Sequence, residues 1–335
     1  MSNPVLVEVV RGGLVESRHR GAVAVVDADG ASVLALGDVA RPVYPRSAVK
    51  PLQALPLIES GAAERYGFGD QEIALACASH GGEPAHVEVA NRMLARAGLD
   101  ASALECGAHW PSHQASTQAL ARSGGAPSAL HNNCSGKHAG FVCLACAAGA
   151  DHHGYVKAEH VVQREVRGAI EGLAGASLSA DQCGIDGCSI PTWAVPLTTL
   201  AHAFAKFGTG QGLGLERGKA AARIRAACAA QPYFVAGTGR FCTEIMNLFG
   251  ARVLVKTGAE GVFCGALPEL GLGVALKCDD GATRAAEVAM AGIIARFLPM
   301  SDEERAAFDR FLRPALRNWN GIEVGGLRAA EALSQ

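Results

Sequence analysis

No run of apolar residues in this chain approaches the roughly 20 needed to cross a bilayer as a helix, so a spanning helix is not expected. The segment from Met1 to Val10 lacks a basic start followed by a long apolar run. A secretory signal is therefore not expected, and the cytoplasm is the expected location. There is no basic excess either: 30 Lys and Arg stand against 32 Asp and Glu, for a net charge of -2. The arginines are scattered, which argues against nucleic-acid and membrane-surface partners, both of which want a positive patch. Gly208-Thr-Gly-Gln-Gly-Leu-Gly214 is glycine-rich but has no Lys-Ser or Lys-Thr after it, so it does not read as a phosphate loop. Internal repeats and disordered linkers are absent. Trp110, Trp193 and Trp319 have no basic stripe around them and read as packing anchors, not as a base-stacking platform.

What is present is a large apolar stock, 49% of 335 residues, with only 19% charged. That suits a sizeable core, and residues 1–335 read as a single domain. Eleven cysteines form an odd set, expected to be mostly reduced in the cytoplasm. Cys77, Cys143, Cys146, Cys228, Cys264 and Cys278 sit among small apolar residues and read as buried hydrophobes. Cys143 and Cys146 are spaced as a redox pair, but their setting reads as a buried helix.

The order of elements points to an α+β fold. Val5–Val10, Ala22–Val26 and Ser32–Leu36 are β-branched or alternating runs separated by turn residues, as in an antiparallel meander. Helical patterns then dominate from about 47 to 249, with Pro51 tolerated in a first turn and Pro56 expected to kink or shorten its helix. One of these helices is expected over Thr192–Phe207 and another over Lys219–Ala229. Strands return at Ala251–Lys256, Gly261–Ala266 and Gly273–Lys277, followed by helices at Asp280–Phe297 and Asp302–Phe311. The tail from Asn318 reads as a short strand and helix. Strands from both ends of the chain are expected to join in one antiparallel sheet flanked by helices.

The chemistry is concentrated in short polar segments. Ser47-Ala-Val-Lys50 has the S-x-x-K spacing that brings a lysine one turn from a hydroxyl on a helix, where a partly desolvated amine can act as base. Alone this spacing is common. Lys256-Thr257-Gly258 on a C-terminal strand adds the second lysine that penicillin-recognising serine enzymes set opposite their nucleophile. Ser79-His80-Gly81-Gly82 lies in a glycine-rich loop that offers a middle element and backbone donors for an oxyanion; Ser-Asp-Asn is absent. Asn132-Asn-Cys-Ser-Gly-Lys-His138 and Cys183-Gly-Ile-Asp-Gly-Cys188 hold thiols and an imidazole, but neither has a zinc-finger spacing. His152-His153 reads as a solvated turn.

Taken with Tyr44–Gln53, Ala76–Glu83, His131–His138, Cys183–Cys188 and Lys256–Gly261, the chain resembles the rhizobial-type, class 3 L-asparaginases of the asparaginase II family over nearly its whole length. The resemblance implies a fold related to serine β-lactamases and glutaminases. It implies two Ser-Lys tandems, Ser47 with Lys50 and Ser79 with Lys256. It implies a zinc ion held by Cys134, Lys137 and Cys188 with a water, and a homodimer. Ser47 is the expected nucleophile on the side-chain amide of L-asparagine. Arg46, His138 and Asp186 are the expected partners of the substrate's charged groups, and Lys50 and Lys256 are expected to have depressed pKa values if buried together. The rivals are a glutaminase, a β-lactamase or penicillin-binding enzyme, and a zinc-dependent binding protein on an inactivated fold.

Overall fold

The computed structural model describes residues 2–334; Met1, the first residue of the segment read for a signal, and Gln335 lie outside the described residues. Eight strands build one antiparallel sheet: β1 (Val5–Arg11), β2 (Leu14–Asp27), β3 (Ser32–Leu36), β4 (Leu254–Thr257), β5 (Val262–Leu267), β6 (Leu272–Cys278), β7 (Ala315–Arg317) and β8 (Glu323–Ala329). Their order is β7-β8-β1-β2-β6-β5-β4, with β3 beside β2. The two ends of the chain meet where β1 pairs with β8, as the sequence pattern requires. β2 is long enough to serve two partners: its first half pairs with β1 and its second half lies between β6 and β3.

The burial of β2 changes along its length for the same reason. Its first half is largely exposed, whereas Gly21 to Val26 is buried on every residue. There the sheet is covered on both faces, so the strand reads as a continuous apolar run, not an alternation. The Leu197–Thr209 helix covers one face and the Thr283–Phe297 helix the other. Gly273 is what lets the first of these approach, because a Cβ there would lie 1.9 Å from the Ala201 carbonyl oxygen.

The chain between β3 and β4 is the helical part. Its centre is the Ser135–Ala147 helix, buried on every residue from Ser135 to Ala145. A helix apolar all round belongs in an interior, and the polar residues in this one's first turn are the exceptions that need a reason. The helices Asp70–Ala76, Pro84–Arg96 and Val161–Ala174 pack around it. Pro56 does break its helix, which divides at Ala54 into Lys50–Gln53 and Leu55–Glu59.

Several boundaries differ from the sequence pattern, among them the strand expected over Ala22–Val26, which spans Leu14–Asp27. The helix expected over Thr192–Phe207 begins only at Leu197, because Pro191–Trp193 pairs with Cys183–Ile185 and Val195–Pro196 with Pro42–Val43. That pairing makes the Cys183–Cys188 break part of a hairpin. The helix expected over Lys219–Ala229 spans Leu215–Ala230. The one expected from Asp280 starts at Thr283, since the Asp280 carboxylate accepts the Ala282 N–H at 3.0 Å. The strand expected from Ala251 starts at Leu254, after a 3-10 turn at Gly250–Arg252. No described helix is long and apolar enough to cross a membrane.

Two glycines should behave oppositely. Gly273→Val would push the covering helix off β6 and lower stability by about 3 kcal/mol. Gly218, in the Leu215–Ala230 helix, has nothing within 4 Å of an added Cβ, so Gly218→Ala should raise stability by roughly 0.5–1 kcal/mol. Urea unfolding of the two variants would give shifts of opposite sign.

Candidate active site

The site forms where β4 and the helical part meet. Arg46–Val49 is a short 3-10 turn that passes into the Lys50–Gln53 helix. Ser47 is half-buried, and its N–H lies in the first turn, where no intrahelical partner exists. Gly258 brings the strand end against this turn: a Cβ at Gly258 would meet the Pro45 carbonyl oxygen at 2.7 Å and the Ala48 nitrogen at 3.2 Å. Among the described residues three non-glycines have positive φ, namely Arg46 at 51°, Ser189 at 77° and Glu260 at 60°. Each adjoins an expected site segment: Ser47, Cys188 and the loop after Lys256. Such conformations cost of order 1–3 kcal/mol each and collect at functional centres.

Lys50 and Lys256 are both buried and converge on one hydroxyl. Lys50 Nζ donates to Ser79 Oγ at 3.0 Å, and Lys256 Nζ donates to the same oxygen at 2.9 Å. Lys50 Nζ also donates to the Ala78 carbonyl and, at 3.0 Å, to Cys134 Sγ. Its three N–H donors therefore have three acceptors, and none is Ser47, whose Oγ makes no hydrogen bond among the described residues. The spacing brought Lys50 near the hydroxyls, but the interior decided which one it bonds. A buried ammonium is drawn to a carbonyl and a sulfur before a half-solvated hydroxyl. Lys256 also donates to its neighbour's carbonyl, Thr257 O, at 2.9 Å. Burial, reinforced by the charge on Lys50, lowers the Lys256 pKa to about 7.

Ser79 follows the Asp70–Ala76 helix, and Cys134 precedes the central Ser135–Ala147 helix. The two helices touch because Gly136 leaves room for Leu75, whose carbonyl oxygen would lie 2.4 Å from a Cβ. This contact brings Ser79 and Cys134 within reach of the same lysine. Cys134 and Lys137 are one turn apart on one helix face. Lys137 Nζ donates to Cys188 Sγ at 3.0 Å. All three side chains are buried. The Cys134 and Cys188 sulfurs share a hydrogen bond, which holds Cys134 toward thiolate and Cys188 toward thiol; Lys50 and Lys137 add to the pull on Cys134. Burial lowers the Lys137 pKa, but the two sulfurs outweigh it and the net direction is upward. Two sulfurs and an amine clustered and shielded from water are a donor set suited to a thiophilic ion once the amine gives up its proton.

The expected substrate contacts divide. Arg46 and Asp186 form a two-point ion pair, Nε–Oδ2 3.2 Å and Nη2–Oδ1 3.2 Å. Burial raises the Asp186 pKa, but Arg46 and the nearby lysines lower it by more, leaving it a carboxylate. His138 is fully buried. Tyr155 Oη accepts the Glu105 N–H at 2.9 Å and shares a hydrogen bond with His138 Nδ1 at 2.6 Å. The buried His138 Nε2 has no partner among the described residues. Burial first, then Lys137 and Lys50, hold this imidazole neutral.

Three of the four N–H groups of the Ser79–Gly82 loop are taken, and that of Gly81 has no acceptor among the described residues. The Ser79 N–H is committed to Val235 O, that of His80 to Asn133 O, and that of Gly82 to His80 Nδ1. The N–H groups of Ser47 and Ala259 have no acceptor among the described residues. His80 carries its proton on Nε2 and donates it to Ser135 Oγ at 2.9 Å, so it braces the loop and stays neutral in its fully buried position. Sequence reading missed Tyr155, which no motif marks. It also missed Thr238, whose N–H and hydroxyl bind the two oxygens of Glu83 at 2.9 and 2.7 Å. The only signal there was the Gly237-Thr-Gly239 turn.

The family described as L-asparaginase II matches residues 7–329. Similar solved structures include a β-lactamase from Mycobacterium bovis, with 15% identity over 82% of this chain and 94% of that one and a TM-score of 0.40. Another is Mglu in its glutamate form, with 17% identity over 88% of this chain and a TM-score of 0.39; the match spans 65% of that protein's chain. Both likenesses are too loose to bear on chemistry. No curated protein is significantly similar. With the match running from β1 to the end of β8, the chain belongs to the L-asparaginase II family, and so to the asparaginase-type amidohydrolases.

Proposed function

We propose that the protein hydrolyses the side-chain amide of L-asparagine to L-aspartate and ammonia. The observation that carries this reading is the Ser79 hydroxyl held between two buried lysines, one of them three residues after the half-buried Ser47. Ser47 attacks the amide carbon. Its proton passes by way of Ser79 to Lys256, which is poised to be neutral near pH 7. The Ser47 and Ala259 N–H groups receive the oxyanion. The proton returns to the departing nitrogen, ammonia leaves, and water cleaves the aspartyl ester. Arg46 takes the substrate's α-carboxylate and Asp186 its α-ammonium, exchanging their mutual pair for two matched contacts. Cys134, Lys137 and Cys188 are the residues to hold zinc, which when bound would act as a local positive charge that orients substrate and loop. Glutamine differs by one methylene, worth about 1–3 kcal/mol, so asparagine should exceed it in kcat/KM by about 10–200-fold.

A second reading makes Ser79 the nucleophile, and the two lysine contacts favour it. Ser47 is the more accessible hydroxyl and Ser79 the better activated. Trapping the acyl-enzyme and mapping it by mass spectrometry decides between them. Under the first reading Ser47→Ala lowers kcat by about 10³-fold or more and abolishes the ester, and an ester on residue 79 would reverse the assignment.

A lysine base works when deprotonated. With the Lys256 pKa near 7, kcat/KM for asparagine should climb from pH 5, reach half its maximum near 7 and level above about 8. Lys256→Met should remove that limb, and a profile flat over this range would exclude Lys256 as the base.

Zinc is checked by metal analysis and kinetics together. Cys188→Ala should lose one zinc equivalent relative to the unaltered chain. It should raise KM for asparagine by about tenfold, the equivalent of about 1.4 kcal/mol, with a smaller effect on kcat. An unchanged metal content would remove zinc from this site.

A further inference from the structure

Asp151-His152-His153 form a turn between the central helix and the Val161–Ala174 helix, separate from the lysine and cysteine centre. Read as sequence it is a solvated turn, yet its three side chains converge. One ligand atom from each lies within 4.8 Å of the others. His153 Nδ1 is 2.7 Å and His152 Nδ1 4.0 Å from Asp151 Oδ1, and the two rings face each other at 4.2 Å between centroids. Metal–ligand bonds of about 2.1 Å place neighbouring donors roughly 3.0–3.4 Å apart, so small side-chain rotations bring these atoms around one ion.

We propose that this turn is a binding site for a borderline divalent transition ion such as Zn2+ or Ni2+, held by His152, His153 and Asp151. Two imidazoles and one carboxylate suit such ions and leave open positions for water, whereas Ca2+ and Mg2+ prefer all-oxygen sets. His160 is not a ligand. Its Nδ1 accepts the Val162 N–H, and its Nε2 faces the Asp151 carbonyl at 2.8 Å. It braces the turn instead. The turn is further anchored by the Gly154 N–H on Glu105 Oε1 at 2.7 Å. The Tyr155 N–H donates to the His152 carbonyl, and the Tyr155 hydroxyl is hydrogen-bonded to His138. Fixing His152 on an ion therefore steadies the backbone that carries Tyr155 to the catalytic centre.

The test is equilibrium dialysis of the full chain against Zn2+ or Ni2+, with bound metal counted by elemental analysis. His152→Asn/His153→Asn should bind one equivalent fewer than the unaltered chain and keep the equivalent that Cys188→Ala loses. Asp151→Asn, a milder change, should weaken the same equivalent at least tenfold. Equal stoichiometry and affinity in all three would overturn the site. Hydrogen exchange reads the link inward: Ni2+ should slow exchange of the Tyr155 amide in the unaltered chain and not in the double variant. Metal bound with no change at that amide would overturn the link to Tyr155.

Discussion

Two lysines sharing one serine hydroxyl in a buried space is the constraint on which the rest of this site depends. Their nitrogens lie no more than about 6 Å apart, each bonded to Ser79 Oγ. At an effective dielectric near 20, two full charges at that distance repel by roughly 3 kcal/mol, and burial penalises each charge further. The site relieves this by lowering the Lys256 pKa to about 7 while giving Lys50 a carbonyl and a sulfur leaning toward thiolate as partners. One amine is thereby available as a base at neutral pH without leaving an unpaired buried charge. The cysteine pair is part of the same balance, because Cys134 serves Lys50 on one side and Cys188 with Lys137 on the other.

Such an arrangement needs a rigid frame, and the frame comes from close packing at small residues. Gly136 lets the central helix press on the helix that delivers Ser79. Gly258 lets the end of β4 press on the turn that carries Ser47, and Gly273 seats a helix on the sheet. Three residues with positive φ, Arg46, Ser189 and Glu260, adjoin the site segments. Their cost is borne by a core that extends through both the sheet and the helical part.

The site segments were legible because their chemistry is written in short runs. Ser47, Lys50, Ser79, Lys256, Cys134, Lys137 and Cys188 all lie in segments singled out by composition or by family resemblance, and the structure gathers the lysines, Ser79 and the cysteines into one cluster. The partnerships inside the cluster were less legible. The S-x-x-K spacing tied Lys50 to Ser47, whereas in the fold it bonds Ser79. The Ser79–Gly82 loop looked like an oxyanion cradle, but three of its four N–H groups are taken by Val235, Asn133 and His80, which leaves that of Gly81. Tyr155 was invisible, since a lone tyrosine after a polar turn carries no pattern.

The sequence by itself determined the element types, the antiparallel closure of the two chain ends and the residue types at the centre. Periodicity and turn chemistry are local properties, and so are the motifs. Only the tertiary structure decided which donor meets which acceptor. A buried ammonium chooses among acceptors brought from distant segments, here Ala78, Ser79 and Cys134. No spacing along the chain encodes that choice. It follows from desolvation, which acts only after the helices have packed.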